Sequence, residues 1–143
     1  MKRGEVHLAD PAATLAIGAR LAEVIRPGDV ITLSGPLGAG KTSIARGLLE
    51  APSPSFAIVQ PYDPPEVRFP VLHVDLYRLD GPDEMLELGL DEALFDAALL
   101  VEWPDRAGPD AWPIALRLVL AIEPDGARRL TWEAPAAWER RWS

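Results

Sequence analysis

Cysteine and asparagine are absent from this chain, glutamine occurs once, and lysine and histidine occur twice each. Without cysteine there is no disulfide, no thiol nucleophile and no thiolate-bound metal, and two isolated histidines, His7 and His73, do not make a zinc site. Without asparagine the chain cannot supply the N-K-x-D element with which GTPases read their base, which excludes that class. Positive charge is scarce as well. A net charge of −8 and a pI near 4.7 leave no basic face for a phosphate backbone, so tight direct binding of nucleic acid is not expected. No apolar run approaches the roughly twenty residues of a membrane span, and the opening MKRGEVHLAD lacks the apolar core of a signal peptide. The expectation is a cytoplasmic protein with no membrane association.

What is present fits one domain over residues 1–143, organised around Gly35 to Thr42. That stretch reads GPLGAGKT and completes the phosphate-binding pattern G-x-x-x-x-G-K-[ST]. Val30 to Leu33 before it reads as a buried strand and Ser43 to Glu50 after it as a helix, the context in which the pattern carries chemistry. Glycine permits backbone torsions that turn successive N–H groups toward a polyphosphate at the positive end of the helix. The candidate nucleotide-binding residues are Gly35, Leu37, Gly38, Ala39, Gly40, Lys41, Thr42 and Ser43. Lys41 reaches the β/γ oxygens as a cation, and Thr42 offers a hydroxyl to Mg²⁺. Pro36 removes one N–H early in the loop, ahead of the donors nearest the phosphates.

Around that loop, Glu5 to Leu8 reads as a strand. Asp10-Pro11 then caps a helix whose apolar positions Leu15, Ala19, Ala22 and Ile25, with Leu21 beside them, end at Pro27-Gly28. APSPS at 51–55 is irregular and lies where nucleotide-binding folds keep a switch loop, so Ser53, Pro54 and Ser55 are candidates for sensing the γ-phosphate; a rigid turn is the alternative. Phe56 to Gln60 reads as a strand and 61–65 as a turn. The apolar run within Arg68 to Leu76 brings Asp75 to a strand's end, the Walker B arrangement for holding Mg²⁺ directly or through water. On the same strand face, His73 reads as a satisfied core residue. Short helices are expected over 82–88 and 91–95. Ala97 to Val101 then delivers Glu102 and Trp103. Glu102 could polarise the attacking water or assist Mg²⁺, and Trp103 could cover the nucleotide or simply pack. Ile114 to Ile122 and Arg128 to Glu133 form a hairpin about Pro124-Asp125-Gly126, and Ala136 to Trp142 a terminal helix whose indoles seal the sheet. The fold class is α/β, a three-layer sandwich of the P-loop NTPase kind, with a mixed sheet of parallel core and antiparallel flanking strands. The candidate catalytic residues are Lys41, Asp75 and Glu102, and the candidate metal ligands Thr42, Asp75 and Glu102.

The chain closely resembles the TsaE (YjeE) family over about Asp10 to Glu133. The resemblance rests on LSGPLGAGKTS with Arg46, SPSF at Ser53 to Phe56, HVDLYRL at His73 to Leu79 and VEWPDR at Val101 to Arg106. It implies a small P-loop ATPase that uses ATP and Mg²⁺ in the bacterial pathway placing threonylcarbamoyl on adenosine beside the tRNA anticodon. It also implies the partner proteins TsaD and TsaB, hydrolysis that depends on them, and site roles for Asp75, Glu102 and Trp103. Three departures from the family pattern are Pro36, Ser55 and a short segment before Ser53. The competing classes are a small-molecule kinase, which needs an arginine-bearing lid not apparent here, and a nucleotide-dependent interaction module with little turnover. Arg78 or Arg128 could complete the site in cis, although both read as surface charges.

Overall fold

The computed structural model describes residues 1–36, 40–49, 59–62, 69–77, 88–107 and 111–142. Seven strands form one sheet: β1 (Lys2–Leu8), β2 (Val30–Ser34), β3 (Val59–Tyr62), β4 (Val71–Asp75), β5 (Ala98–Glu102), β6 (Leu116–Ile122) and β7 (Arg128–Ala134). Their order across the sheet is β1-β7-β6-β2-β5-β4-β3. β4, β5, β2 and β6 run parallel; on one side β7 pairs antiparallel with β6 and β1 antiparallel with β7, and on the other β3 pairs antiparallel with β4. β6 therefore belongs to the parallel core as well as to the expected hairpin, because it pairs with β2 from Ile31↔Leu116 to Ser34↔Val119.

Burial explains the sequence patterns. Every residue of β5 is buried, so ALLV reads as an unbroken apolar run. β6 alternates, with Leu116, Leu118 and Leu120 buried and Arg117 and Val119 exposed, because one of its faces meets solvent. The larger core cluster joins this sheet to helices α1 (Pro11–Val24) and α2 (Lys41–Leu49). A second cluster on the opposite face unites Val30, Val74, Leu99 and Val101 with Leu90 of the short helix α3 (Leu90–Ala93) and with Trp112. Among the described residues no helix is long and apolar enough to cross a membrane.

Helix α1 starts as the sequence indicates: Asp10 is the N-cap, accepting from the Ala13 N–H at 2.8 Å, and proline follows at the first helical position. Its buried face is only partly the expected one, for Leu21, Ile25 and the half-buried Ala22 fit it and Leu15 and Ala19 do not. Thr14, Ile17, Gly18, Leu21 and then Ile25 point inward, whereas Leu15 is exposed and Ala19 faces solvent. The reason is the crossing with α2. A Cβ on Gly18 would overlap the Ile44 carbonyl and stand 2.7 Å from Leu48 N, and one on Gly47 would overlap the Leu15 carbonyl. Two backbones this close admit only glycine at the crossing point, and that contact sets the rotation of α1.

Two further boundaries differ from expectation. Pro61 and Tyr62 continue β3 instead of turning, which proline tolerates because β3 is an edge strand whose pairing is with β4 alone. The segment after Pro135 forms only a 3₁₀ turn, Ala136–Trp138, and not a helix to Trp142. The Arg141 side chain there forks onto Asp29 at 2.6 and 2.9 Å and donates to the carbonyls of Val24 and Ala137, while its backbone N–H bonds the Trp138 carbonyl at 3.0 Å. Trp138 and Trp142 are both buried, as sealing residues would be. The expected strand over 56–60 is described only from Val59, and the expected helix over 82–88 lies, apart from Leu88, outside the described residues.

Substituting Gly18→Ala is expected to cost about 2–3 kcal/mol, the upper part of the overpacking range, because the obstruction is backbone and not a flexible side chain. Urea unfolding checks this. An unchanged midpoint would show that α1 and α2 can separate freely.

Candidate active site

The parallel strands β2, β4 and β5 all end on the same edge of the sheet, and the site is built there. After Ser34 the chain enters the glycine-rich loop at Gly35, whose φ of 144° only glycine adopts readily; a Cβ there would lie 2.6 Å from the Leu120 carbonyl oxygen of β6. Gly40, at φ 111°, closes the loop, and its carbonyl accepts from the Ile44 N–H at 3.1 Å as α2 begins. Lys41 is the first residue of that helix.

Lys41 is 5% exposed. Its Nζ donates to the Gly35 carbonyl and lies 3.8 Å from the centroid of the Trp103 ring. Burial lowers its pKa from the ordinary lysine value, while the charges of Glu102 and then Asp75 pull it back up.

Those two carboxylates are brought together by register. Asp75 of β4 pairs with Glu102 of β5 at the strand ends, and Leu33 of β2 pairs with Glu102 on the other side. Alternation puts His73, Asp75 and Glu102 on the face that carries α2, since Val71, Ala98 and Leu100 of the same faces belong to the helix-side core. Asp75 is half-buried, and its Oδ1 accepts from the Tyr77 N–H at 3.0 Å. Glu102 is buried, with its Oε2 2.7 Å from His73 Nε2.

Trp103 follows with φ 59°, the one described residue other than glycine in the left-handed region, a conformation costing on the order of 1–3 kcal/mol. Its N–H donates to the Leu33 carbonyl at 3.2 Å, which anchors the turn. The indole lies 4.9 Å from the Tyr77 ring, over which the Arg106 guanidinium sits at 5.7 Å. A ladder of rings and cations therefore runs from buried Lys41 through Trp103 and Tyr77 to exposed Arg106.

Gly35, Gly40, Lys41, Asp75, Glu102 and Trp103 thus converge. Thr42 and Ser43 lie in the first turn of α2, Ser43 half-buried; the side chain of Thr42 is outside the description. Leu37, Gly38, Ala39, Ser53, Pro54, Ser55 and Arg78 are outside the described residues. Arg128 bonds the carbonyl of Gly126 in its own hairpin turn. Sequence reasoning left His73 in the core and passed over Tyr77 and Arg106. The signals were available: His73 stands two residues before Asp75 on one strand face, and Tyr77 and Arg106 each follow a strand-end carboxylate within a few positions.

Among the described residues no group of three or more histidines and carboxylates stands ready to cage a metal. Asp75 and Glu102 are the described residues that could hold a hard, oxygen-seeking cation here.

The sequence model of the family described as threonylcarbamoyl adenosine biosynthesis protein TsaE matches residues 8–130. The chain belongs to the TsaE family. A relative from Streptomyces coelicolor, called tRNA threonylcarbamoyladenosine biosynthesis protein TsaE, is 45% identical over 110 residues, covering 71% of this chain and 74% of its own length. The protein of that name from Bacillus subtilis is 34% identical over 142 residues, covering 94% of this chain and 87% of its own. The crystal structure of YdiB from Bacillus subtilis superposes with a TM-score of 0.81 at 32% identity, over 98% of this chain and 91% of that one. The α/β fold with its mixed sheet is therefore that of a TsaE-family structure.

Lys41→Ala is expected to weaken nucleoside triphosphate binding about 10- to 100-fold, the value of one charged hydrogen bond of about 1.5–3 kcal/mol. Calorimetric titration measures it, and undiminished affinity would remove Lys41 from the site.

Proposed function

We propose that this TsaE-family chain binds ATP with Mg²⁺ and hydrolyses it in the service of tRNA threonylcarbamoyladenosine formation, acting on a complex of TsaD and TsaB. The observation that carries the reading is the convergence of Lys41, Asp75 and Glu102 behind the glycine-rich loop at the head of α2. In it Lys41 leaves the Gly35 carbonyl and the Trp103 ring for the β/γ-phosphate oxygens, exchanging neutral partners for anionic ones. Asp75 and the Thr42 position would hold Mg²⁺, which when bound neutralises charge on the β- and γ-phosphates. Glu102 accepts the proton of the water that attacks the γ-phosphorus as the bond to the β,γ-bridging oxygen breaks, and ADP and phosphate leave. Trp103, its ring already at Lys41, shields the reacting groups from bulk solvent.

The reading includes slow hydrolysis by the isolated chain: among the described residues Arg106 is exposed and sits 5.7 Å over the Tyr77 ring, while Lys41 is the cation set among the two carboxylates. In this reading the partner proteins supply a second cation to the γ-phosphate. A chain of net charge −8 docks on protein and not on RNA.

Two outcomes test the proposal. Glu102→Gln keeps the shape and removes the proton acceptor, so phosphate release is expected to fall about 100-fold, as for loss of acid–base help. Phosphate release by the wild-type chain is expected to be slow alone and to rise as purified TsaD and TsaB are added. A fast basal rate that the partners leave unchanged would overturn the partner-dependent reading and favour a small-molecule kinase.

A further inference from the structure

A close side-chain contact reaches Glu102 from beneath, from His73. His73 lies one residue pair deeper along β4, where it is register-paired with Leu100 while Asp75 is paired with Glu102. Its Nε2 meets Glu102 Oε2 at 2.7 Å, and the two side chains are only 4% and 8% exposed. An ionised carboxylate accepts and does not donate, so Nε2 carries the proton in this contact. Glu102 is thereby held through Oε2 from the core side. Asp75 is treated alike, with Oδ1 engaged by the Tyr77 N–H. Each strand-end carboxylate has one oxygen committed to the scaffold. A glutamate with three rotatable bonds would otherwise sample several positions at the end of β5, and misplacement by about 1 Å is enough to cost on the order of 100-fold in rate.

We infer that His73 is the positioning residue of the site: its imidazole fixes the Glu102 carboxylate for the reacting water, without itself touching nucleotide. This rests on the ATPase reading above and adds to it a residue that the phosphate loop and strand-end acids do not contain.

The test compares His73→Leu, which cannot donate, with His73→Gln, which can, each alone and combined with Glu102→Gln. His73→Leu is expected to lower kcat about 10- to 100-fold while KM and the directly measured affinity for ADP stay within about threefold. His73→Gln recovers most of that loss. In the Glu102→Gln background His73→Leu has no further effect, because its role is exercised through that carboxylate. Equal losses in both backgrounds, or equal losses for Leu and Gln, overturn the inference.

A readout on the free chain is independent of turnover. With only two histidines, the ring N–H resonances are readily assigned by nitrogen-edited NMR. The His73 Nε2 proton is expected to be slow to exchange and shifted downfield, and to move upfield in Glu102→Gln. A proton indifferent to that change overturns the inference even where His73→Leu does not fold. If the wild-type chain hydrolyses no ATP even with TsaD and TsaB present but the proton responds, the ATPase reading fails while the His73–Glu102 link stands.

Discussion

A lysine ammonium held almost out of contact with water is the constraint on which the site depends. Burial disfavours the charged form of Lys41, and the surroundings answer with a carbonyl, an aromatic face and two carboxylates. They come from the ends of three strands: Gly35 from β2, Trp103 and Glu102 from β5, Asp75 from β4. The parallel order of β2, β5 and β4 is what makes those ends coincide. The strained turn at Trp103 fits the same logic, since φ 59° is tolerated where it keeps an indole against the cation.

The α1–α2 crossing supports this from behind. The Gly18–Gly47 contact leaves α2 little freedom to shift against α1, and Lys41 is at the head of α2. Asp29, in the turn that leads from α1 into β2, is gripped by Arg141, whose guanidinium also stacks 4.1 Å from the Trp138 ring. The route from α1 into the strand that feeds the loop is thereby fastened by the last described segment of the chain.

Much of this was legible in the sequence because its signals are local. The strand, loop and helix around Lys41 form one continuous stretch, and Asp75 and Glu102 each close an apolar run. The face of α1 was not legible. In PAATLAIGARLAEV small and apolar residues occur all round, so Leu15 and Ile17 compete as inward positions and only the glycine contact with α2, remote in sequence, decides for Ile17. His73 was placed correctly in the interior, but its partner depends on the register between β4 and β5, which neither strand specifies by itself. Pro61 argued for a turn until the sheet order made β3 an edge. The tail after Pro135 contains helix formers, yet it forms only a 3₁₀ turn, with Arg141 reaching across to Asp29 and Val24, partners remote in sequence.

The wall behind the phosphate loop comes from late in the chain. The Leu120 carbonyl, which stands where a side chain on Gly35 would have to go, belongs to β6, and β6 is held in the sheet by β2 and β7. A nascent chain that has just emerged through α2 therefore displays the whole glycine-rich motif without the strand that backs Gly35. During synthesis, competence for nucleotide arrives with the C-terminal hairpin and not with the motif, so a truncated product would carry the recognisable signature without the pocket.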